Sequence, residues 1–129
     1  MFVYDGDKVI AAFVVGLGGN PIGPKQQQGD QRTPEGRYLL DYKNGHSGYY
    51  RSIHISYPND ADRAAARKRH LPPGGDIMVH GLPNDPHLAH SVRTYGAPDW
   101  TNGCIALSDE DMLRLWDLVV TPVPIEIVP

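Results

Sequence analysis

The sequence predicts a mainly β, sandwich-like domain with two short helices. Its 129 residues include 14 glycines and 12 prolines, and such frequent breaks divide the chain into short elements. Short apolar runs, several of them with alternating polar positions, lie between these breaks. We expect a single domain over residues 1–129, because the chain is long enough for one hydrophobic core and too short for two.

Seven segments have the composition of β-strands. They cover residues 2–4, 9–17, 37–42, 52–55, 76–79, 104–107 and 123–128. The Asp5-Gly6 pair between the first two segments favours a hairpin. Residues 9–17 form the most apolar stretch, which is far shorter than the roughly twenty residues of a transmembrane helix. No membrane-spanning segment is therefore predicted.

Two segments are predicted to be helical. The first, residues 60–69, is polar, with acidic residues at its start and basic residues at its end, as the helix dipole favours. The second begins at Ser108, a good N-cap, with Asp111 at the position of a capping box. Its apolar residues recur at helical spacing and predict one face packed on the sheet: Met112, Leu115, Trp116 and Val119.

The charge balance bears on the class of partner. The formal net charge is −3, whereas a nucleic-acid-binding domain usually carries a basic face. The one basic cluster, residues 67–70, falls at the end of the first predicted helix. We therefore expect no nucleic-acid partner.

Cys104 is the one cysteine of the chain, and it follows Gly103 in a segment typical of a tight turn. A lone cysteine is more often a small buried apolar residue than a nucleophile. Here the preceding glycine leaves room for a substrate backbone, and backbone N–H groups nearby could face an oxyanion. His80 ends a predicted strand and offers the base that such a thiol lacks.

Three blocks, in this order, resemble the catalytic domain of the bacterial L,D-transpeptidases, the cysteine enzymes that cross-link peptidoglycan stem peptides. They are the glycine-rich segment 29–38, the pair His80-Gly81, and Thr101-Asn102-Gly103-Cys104. The resemblance covers residues 8–129. Each block alone is weak, and the ordered set is specific.

The resemblance implies the role of each residue in these blocks. Cys104 would be the nucleophile and His80 the general base, with the Gly81 carbonyl accepting a hydrogen bond from the second imidazole nitrogen. We also expect an imidazolium beside the thiol to lower the thiol pKa. The remaining residues would form the oxyanion hole or bind substrate: Gly103, Asn102, Thr101 and Trp100.

Two departures from the family pattern bear on the substrate. Many members carry Arg or Asn two residues after the cysteine, where this chain has Ala106 and so lacks a cation for a substrate carboxylate. Residues 82–99 form a longer connection than in compact members, and we expect them to make a lid over the cleft that carries His87 and His90. Arg32, in the glycine-rich block, would either pair with Asp30 or Glu35 or contact the acidic stem peptide, and we favour the ion pair.

The resemblance implies acyl transfer from a stem peptide, through a thioester at the L-centre of meso-diaminopimelate, to an amine. It implies no cofactor and no metal. We expect a monomer that acts on peptidoglycan in the periplasm or cell envelope, with the export signal absent from this chain.

Three alternatives stay open. The first is an L,D-carboxypeptidase or L,D-endopeptidase that hydrolyses peptidoglycan peptides. The second is a non-catalytic wall-binding module. The third is a zinc peptidase that uses His80, His87 and His90.

Overall fold

The computed structural model describes residues 1–129 and contains two β-sheets and three α-helices. Strands β1 (Phe2–Asp5) and β2 (Lys8–Ala12) form an antiparallel hairpin. Its turn includes Gly6, whose φ of 59° suits glycine. The predicted hairpin is therefore confirmed, and so is the mainly β class of the domain.

The second sheet has five strands in the order β6-β5-β4-β3-β7. All of its pairs are antiparallel except β5 with β6, which is parallel. The strands in chain order are β3 (Gly36–Asn44), β4 (Ser52–Ile55), β5 (Met78–His80), β6 (Ile105–Ala106) and β7 (Val123–Ile127).

Helices α1 (Asp60–Lys68) and α3 (Asp109–Leu118) lie where the sequence predicts them. The Ser108 side chain caps α3 by accepting from the Asp111 N–H. The expectation of only two helices is wrong, because a third helix, α2 (Pro86–Tyr95), occupies the middle of residues 82–99, the connection expected to form a lid. No helix in the chain has the length and apolar character needed to cross a membrane.

The hydrophobic core lies between the five-stranded sheet and α3. Ile53, Val79, Met112 and Leu115 are at most 1% exposed, and each such side chain contributes about 1.5–3 kcal/mol through burial. Val79 of β5 lies opposite Ile105 of β6, and both side chains belong to this core.

The register of β5 and β6 places the two predicted catalytic residues on the other face of the sheet. Because side chains alternate along a strand, His80 and Cys104, each next to a core residue, face away from the core. His80 pairs with Ala106, so Cys104 lies level with Met78, one diagonal step away.

Candidate active site

The turn before Cys104 depends on a glycine at position 103. Gly103 has a φ of +132°, and a Cβ there would lie 2.7 Å from the backbone oxygen of Arg32. Both the conformation and the space therefore require glycine. The backbone of Arg32 lies this close to Gly103, so the cysteine turn packs directly on the glycine-rich block of residues 29–38.

Thr101 fixes the same turn from within. Its buried hydroxyl donates to the Cys104 carbonyl at 2.7 Å and accepts from the Gly103 N–H at 3.1 Å. In this structure the Gly103 N–H is therefore occupied by Thr101, and its role toward an oxyanion stays a prediction. No loop hydrogen bond uses the N–H groups of Asn102 or Cys104, so these two donors remain available.

The Cys104 thiol lies in a partly buried position beside β5. The Met78 N–H points at Sγ at 3.4 Å, and Sγ lies 3.5 Å from the carbonyl oxygen of Asp76. Burial raises the pKa of Cys104, the nearby Asp76 charge adds to this rise, and the Met78 N–H opposes it. The resting sulfur is therefore a thiol rather than a thiolate at neutral pH.

His80 is 5% exposed and held in one orientation. Its Nδ1 lies 2.7 Å from the carbonyl oxygen of Gly81, which is the contact that the family resemblance implies. A carbonyl cannot donate, so Nδ1 carries the proton and a neutral ring leaves Nε2 as a free acceptor. Tyr49 and Trp100 pack on the ring, with centroid distances of 4.6 and 5.7 Å.

The imidazole of His80 and the thiol of Cys104 both favour their uncharged forms. Burial lowers the pKa of His80, which the Gly81 hydrogen bond only partly offsets. Burial thus favours the uncharged form of the imidazole and of the thiol alike. This differs from the expectation drawn from the sequence, because a sequence does not show how deeply the two groups are buried.

Gly81 is confined by its neighbours. A Cβ at this position would lie 2.5 Å from Oδ1 of Asp109 and 3.0 Å from Cβ of Tyr50. The Gly81 N–H donates to the carbonyl oxygens of Tyr49 and Arg51, at 3.0 and 3.3 Å. These contacts hold the peptide whose carbonyl orients His80.

Cys104 and His80 line one cleft of about 350 Å³, which we call the thiol cleft. Trp100, Thr101 and Asn102 also line it. The rest of the wall was not predicted from the sequence, where only a polar, glycine-rich composition marks part of it. These residues are Asn44, His46, Ser47, Gly48, Tyr49, Ser52, Asp76 and Met78.

Residues 82–99 do not line the thiol cleft. His87 and His90 are exposed on α2, and no group of three or more His, Cys, Asp or Glu side chains gathers to hold a metal. The three histidines of the zinc alternative are therefore not brought together.

A buried ion pair supports the glycine-rich block. Lys25 Nζ lies 2.9 Å from Oδ1 of Asp30, with the two side chains 4% and 10% exposed. Burial raises the pKa of Asp30, but Lys25 and three backbone donors outweigh it and lower the pKa overall. The expected Arg32 ion pair is absent, since Arg32 contributes only its backbone N–H to Asp30.

Comparison with known proteins identifies a family. The model of the YkuD family, the L,D-transpeptidase catalytic domain, matches residues 1–127. Over 62 residues the chain is 42% identical to YafK of Escherichia coli, which is named as a candidate L,D-transpeptidase. That match covers 46% of this chain and 23% of YafK.

Solved structures give the same fold. A variant of the helical cell shape determining protein Pgp2 from Campylobacter jejuni matches with a TM-score of 0.68 and 27% identity, over 94% of this chain and 39% of Pgp2. An L,D-transpeptidase from Mycobacterium smegmatis matches with a TM-score of 0.56 and 18% identity, over 95% of this chain and 51% of that protein. The chain thus spans well under two thirds of these relatives.

Proposed function

We propose, from the premise that this chain belongs to the family of L,D-transpeptidase catalytic domains, that it is a cysteine acyltransferase of peptidoglycan stem peptides. One observation carries the proposal: Cys104 and His80 line the same cleft, and the hydrogen bond from Nδ1 of His80 to the Gly81 carbonyl leaves Nε2 free to accept a proton. Because peptidoglycan is part of the cell envelope, we place the activity there.

In the first half of the reaction, the Cys104 thiol gives its proton to Nε2 of His80 as Sγ attacks the substrate carbonyl. That carbonyl belongs to the L-centre of meso-diaminopimelate in a tetrapeptide donor. The tetrahedral intermediate collapses when the terminal D-Ala amine leaves with the proton held by His80. A thioester on Cys104 remains.

In the second half, His80 takes a proton from the attacking acceptor amine. The new amide bond forms as the carbon–sulfur bond breaks, and the departing sulfur recovers its proton. His80 thus serves as base and acid in turn, which requires the neutral resting state that its burial favours.

The N–H of Cys104, together with Asn102, supplies the oxyanion donors in this mechanism, because Thr101 occupies the Gly103 N–H. Thr101 then acts as a positioning residue for the turn. Preorganised backbone donors of this kind stabilise charge that develops on the substrate oxygen.

Hydrolysis is the second candidate activity, and one observation favours it. Residues 82–99 do not line the thiol cleft, so they do not exclude water from a thioester on Cys104. Water in place of the amine would make the protein an L,D-carboxypeptidase or L,D-endopeptidase.

The test is mass spectrometry of the products from purified muropeptides. We expect loss of D-Ala and formation of cross-linked product with the native chain and neither with Cys104→Ala. Trimmed product alone assigns hydrolysis. A carbapenem should give one covalent adduct, located at Cys104. Turnover that survives in Cys104→Ala contradicts the proposal, and the absence of both adduct and turnover favours a wall-binding module.

A further inference from the structure

A second cleft, of about 370 Å³, adjoins the thiol cleft. Trp100 lines both clefts and forms the wall between them. The second cleft is bordered by residues 14–16, Leu82, Arg93, Pro98 and residues 106–108, and more than half of its lining residues are apolar. A peptide held at Cys104 has this cleft as its neighbour beyond Trp100.

The two clefts differ in charge. The thiol cleft is lined by no Lys or Arg and by one acid, Asp76. The second cleft is lined by Arg93 and Asp111. Asp111 is paired with Arg114 at 3.2 Å, whereas Arg93 has no ion-pair partner. Arg93 is therefore the one unpaired cation lining either cleft.

The local fold explains how Arg93 reaches this position. Helix α2 begins after the N-cap Asp85, and its buried residue is Ala89. Arg93 follows Ala89 by four residues, so it lies on the same side of α2, and its exposed side chain lines the second cleft. Helix α2 ends at Gly96, where a Cβ would collide with the carbonyl oxygen of Val92.

The floor of the second cleft includes Ala106, two residues after the nucleophile. Its small side chain contributes no charge there, and its backbone is fixed by hydrogen bonds with Gly16 at 2.8 and 2.9 Å. The one cation that lines the second cleft thus belongs to α2 and not to β6.

We propose that Arg93 binds a carboxylate of the stem peptide in the second cleft and so determines which peptides are accepted. This inference rests on the proposed function. A guanidinium presents paired donors that match a carboxylate, and Trp100 and Ala106 offer apolar surface in the same cleft for the neighbouring part of the peptide. A stem peptide carries several carboxylates, and the experiment distinguishes them.

Binding is measured by calorimetry in the Cys104→Ala background, so that no turnover is needed. The probes are the tetrapeptide L-Ala-γ-D-Glu-meso-diaminopimelate-D-Ala and analogues with each carboxylate amidated in turn. Adding Arg93→Ala should weaken binding of the parent peptide about tenfold, and Arg93→Lys should weaken it less. Arg63→Ala, which removes an exposed arginine of α1, is the control and should change nothing.

Amidation of the bound carboxylate should weaken binding about tenfold in the Cys104→Ala protein and cause no further loss once Arg93 is replaced. Equal affinities with and without Arg93, or equal amidation effects in both proteins, would overturn the role of Arg93 and leave the proposed function standing. No binding of any probe to the Cys104→Ala protein would overturn both.

Discussion

The turn at Cys104 and the connection 82–99 are held by different kinds of contact. Partners distant in sequence fix the turn: the Thr101 N–H donates to the Leu17 carbonyl and the Gly19 N–H donates to the Thr101 carbonyl. The connection is tied to the rest of the protein near its ends. The Leu82 N–H donates to Asp109 at 2.9 Å, and Asp99 accepts from the Leu17 N–H at 2.8 Å.

Between these ties, α2 relies on its own hydrogen bonds and on one buried side chain, Ala89. The turn is therefore fixed by many parts of the fold, whereas α2 is built mainly from local contacts, and under our proposals the two regions serve turnover and peptide binding, respectively. Changes around the turn should alter turnover or overall stability, and changes in α2 should alter peptide binding.

The largest expected effect is on turnover. His80→Ala should lower kcat/KM for muropeptides by about a hundred- to ten-thousandfold, because the acid and base of both half-reactions is lost. The matched control is His54→Ala, since His54 pairs with Asp41 at 2.6 Å on the neighbouring strand and does not line the thiol cleft. Equal losses in the two variants would contradict the assignment of His80 as the base.

The next effect is on overall stability. Lys25→Met should lower the free energy of unfolding by about 3 kcal/mol, because Asp30 would be left buried without its cation. Arg37→Met breaks an exposed pair with Glu126 and should cost less than about 1 kcal/mol. Denaturant unfolding of both variants measures the difference, and similar values would show that burial does not strengthen the Lys25 pair.

Gly103→Ala tests the turn itself. We expect a loss of about 2 kcal/mol in stability, from the positive φ and the contact with the Arg32 carbonyl, together with slower acylation of Cys104. Gly75→Ala is the control, because a Cβ there meets nothing within 4 Å. Normal acylation in Gly103→Ala would mean that the turn tolerates displacement.

A smaller effect is expected from the cap of α2. The Asp85 side chain accepts from the N–H groups of His87 and Leu88, so Asp85→Ala should cost about 1 kcal/mol within the helix. Hydrogen exchange should rise in residues 86–95, and peptide binding should weaken while acylation by a carbapenem stays normal. Ser91→Ala, in the middle of the same helix, should leave all three unchanged.

The smallest effect concerns the titration of the thiol. The pKa of Cys104, read from the pH dependence of alkylation, should lie above that of an ordinary cysteine, because burial raises it. At neutral pH the free thiol should therefore react slowly with iodoacetamide. His80→Ala should not raise this pKa further, because a neutral imidazole contributes no positive charge. A rise on replacement would instead indicate an ion pair.

The elements that the sequence predicted well are those whose signal is local. Alternation predicted β4, and helical spacing with a capping serine predicted α3. The start of α2 also has a local signal, since Asp85 is a favourable N-cap and Pro86 a favourable first helical residue.

Other features of the site could not be predicted, because they depend on contacts between distant residues. The occupied Gly103 N–H follows from the hydroxyl orientation of Thr101, and the raised pKa of Cys104 follows from burial. The unpaired state of Arg93 depends on where α2 packs. None of these leaves a pattern in the order of the residues.

The parallel pairing of β5 with β6 has a consequence for how such domains can be modified. Parallel neighbours cannot be joined by a tight turn and need a crossover of about a dozen residues or more. Because His80 ends β5 and Cys104 directly precedes β6, the chain must carry a connecting segment between these two residues. We expect the interior of this segment to tolerate changes in length and side chains while the register of β5 and β6 stays fixed. Replacing residues 85–97 with another segment is therefore a way to change which peptides bind while β5, β6 and the thiol cleft stay as they are.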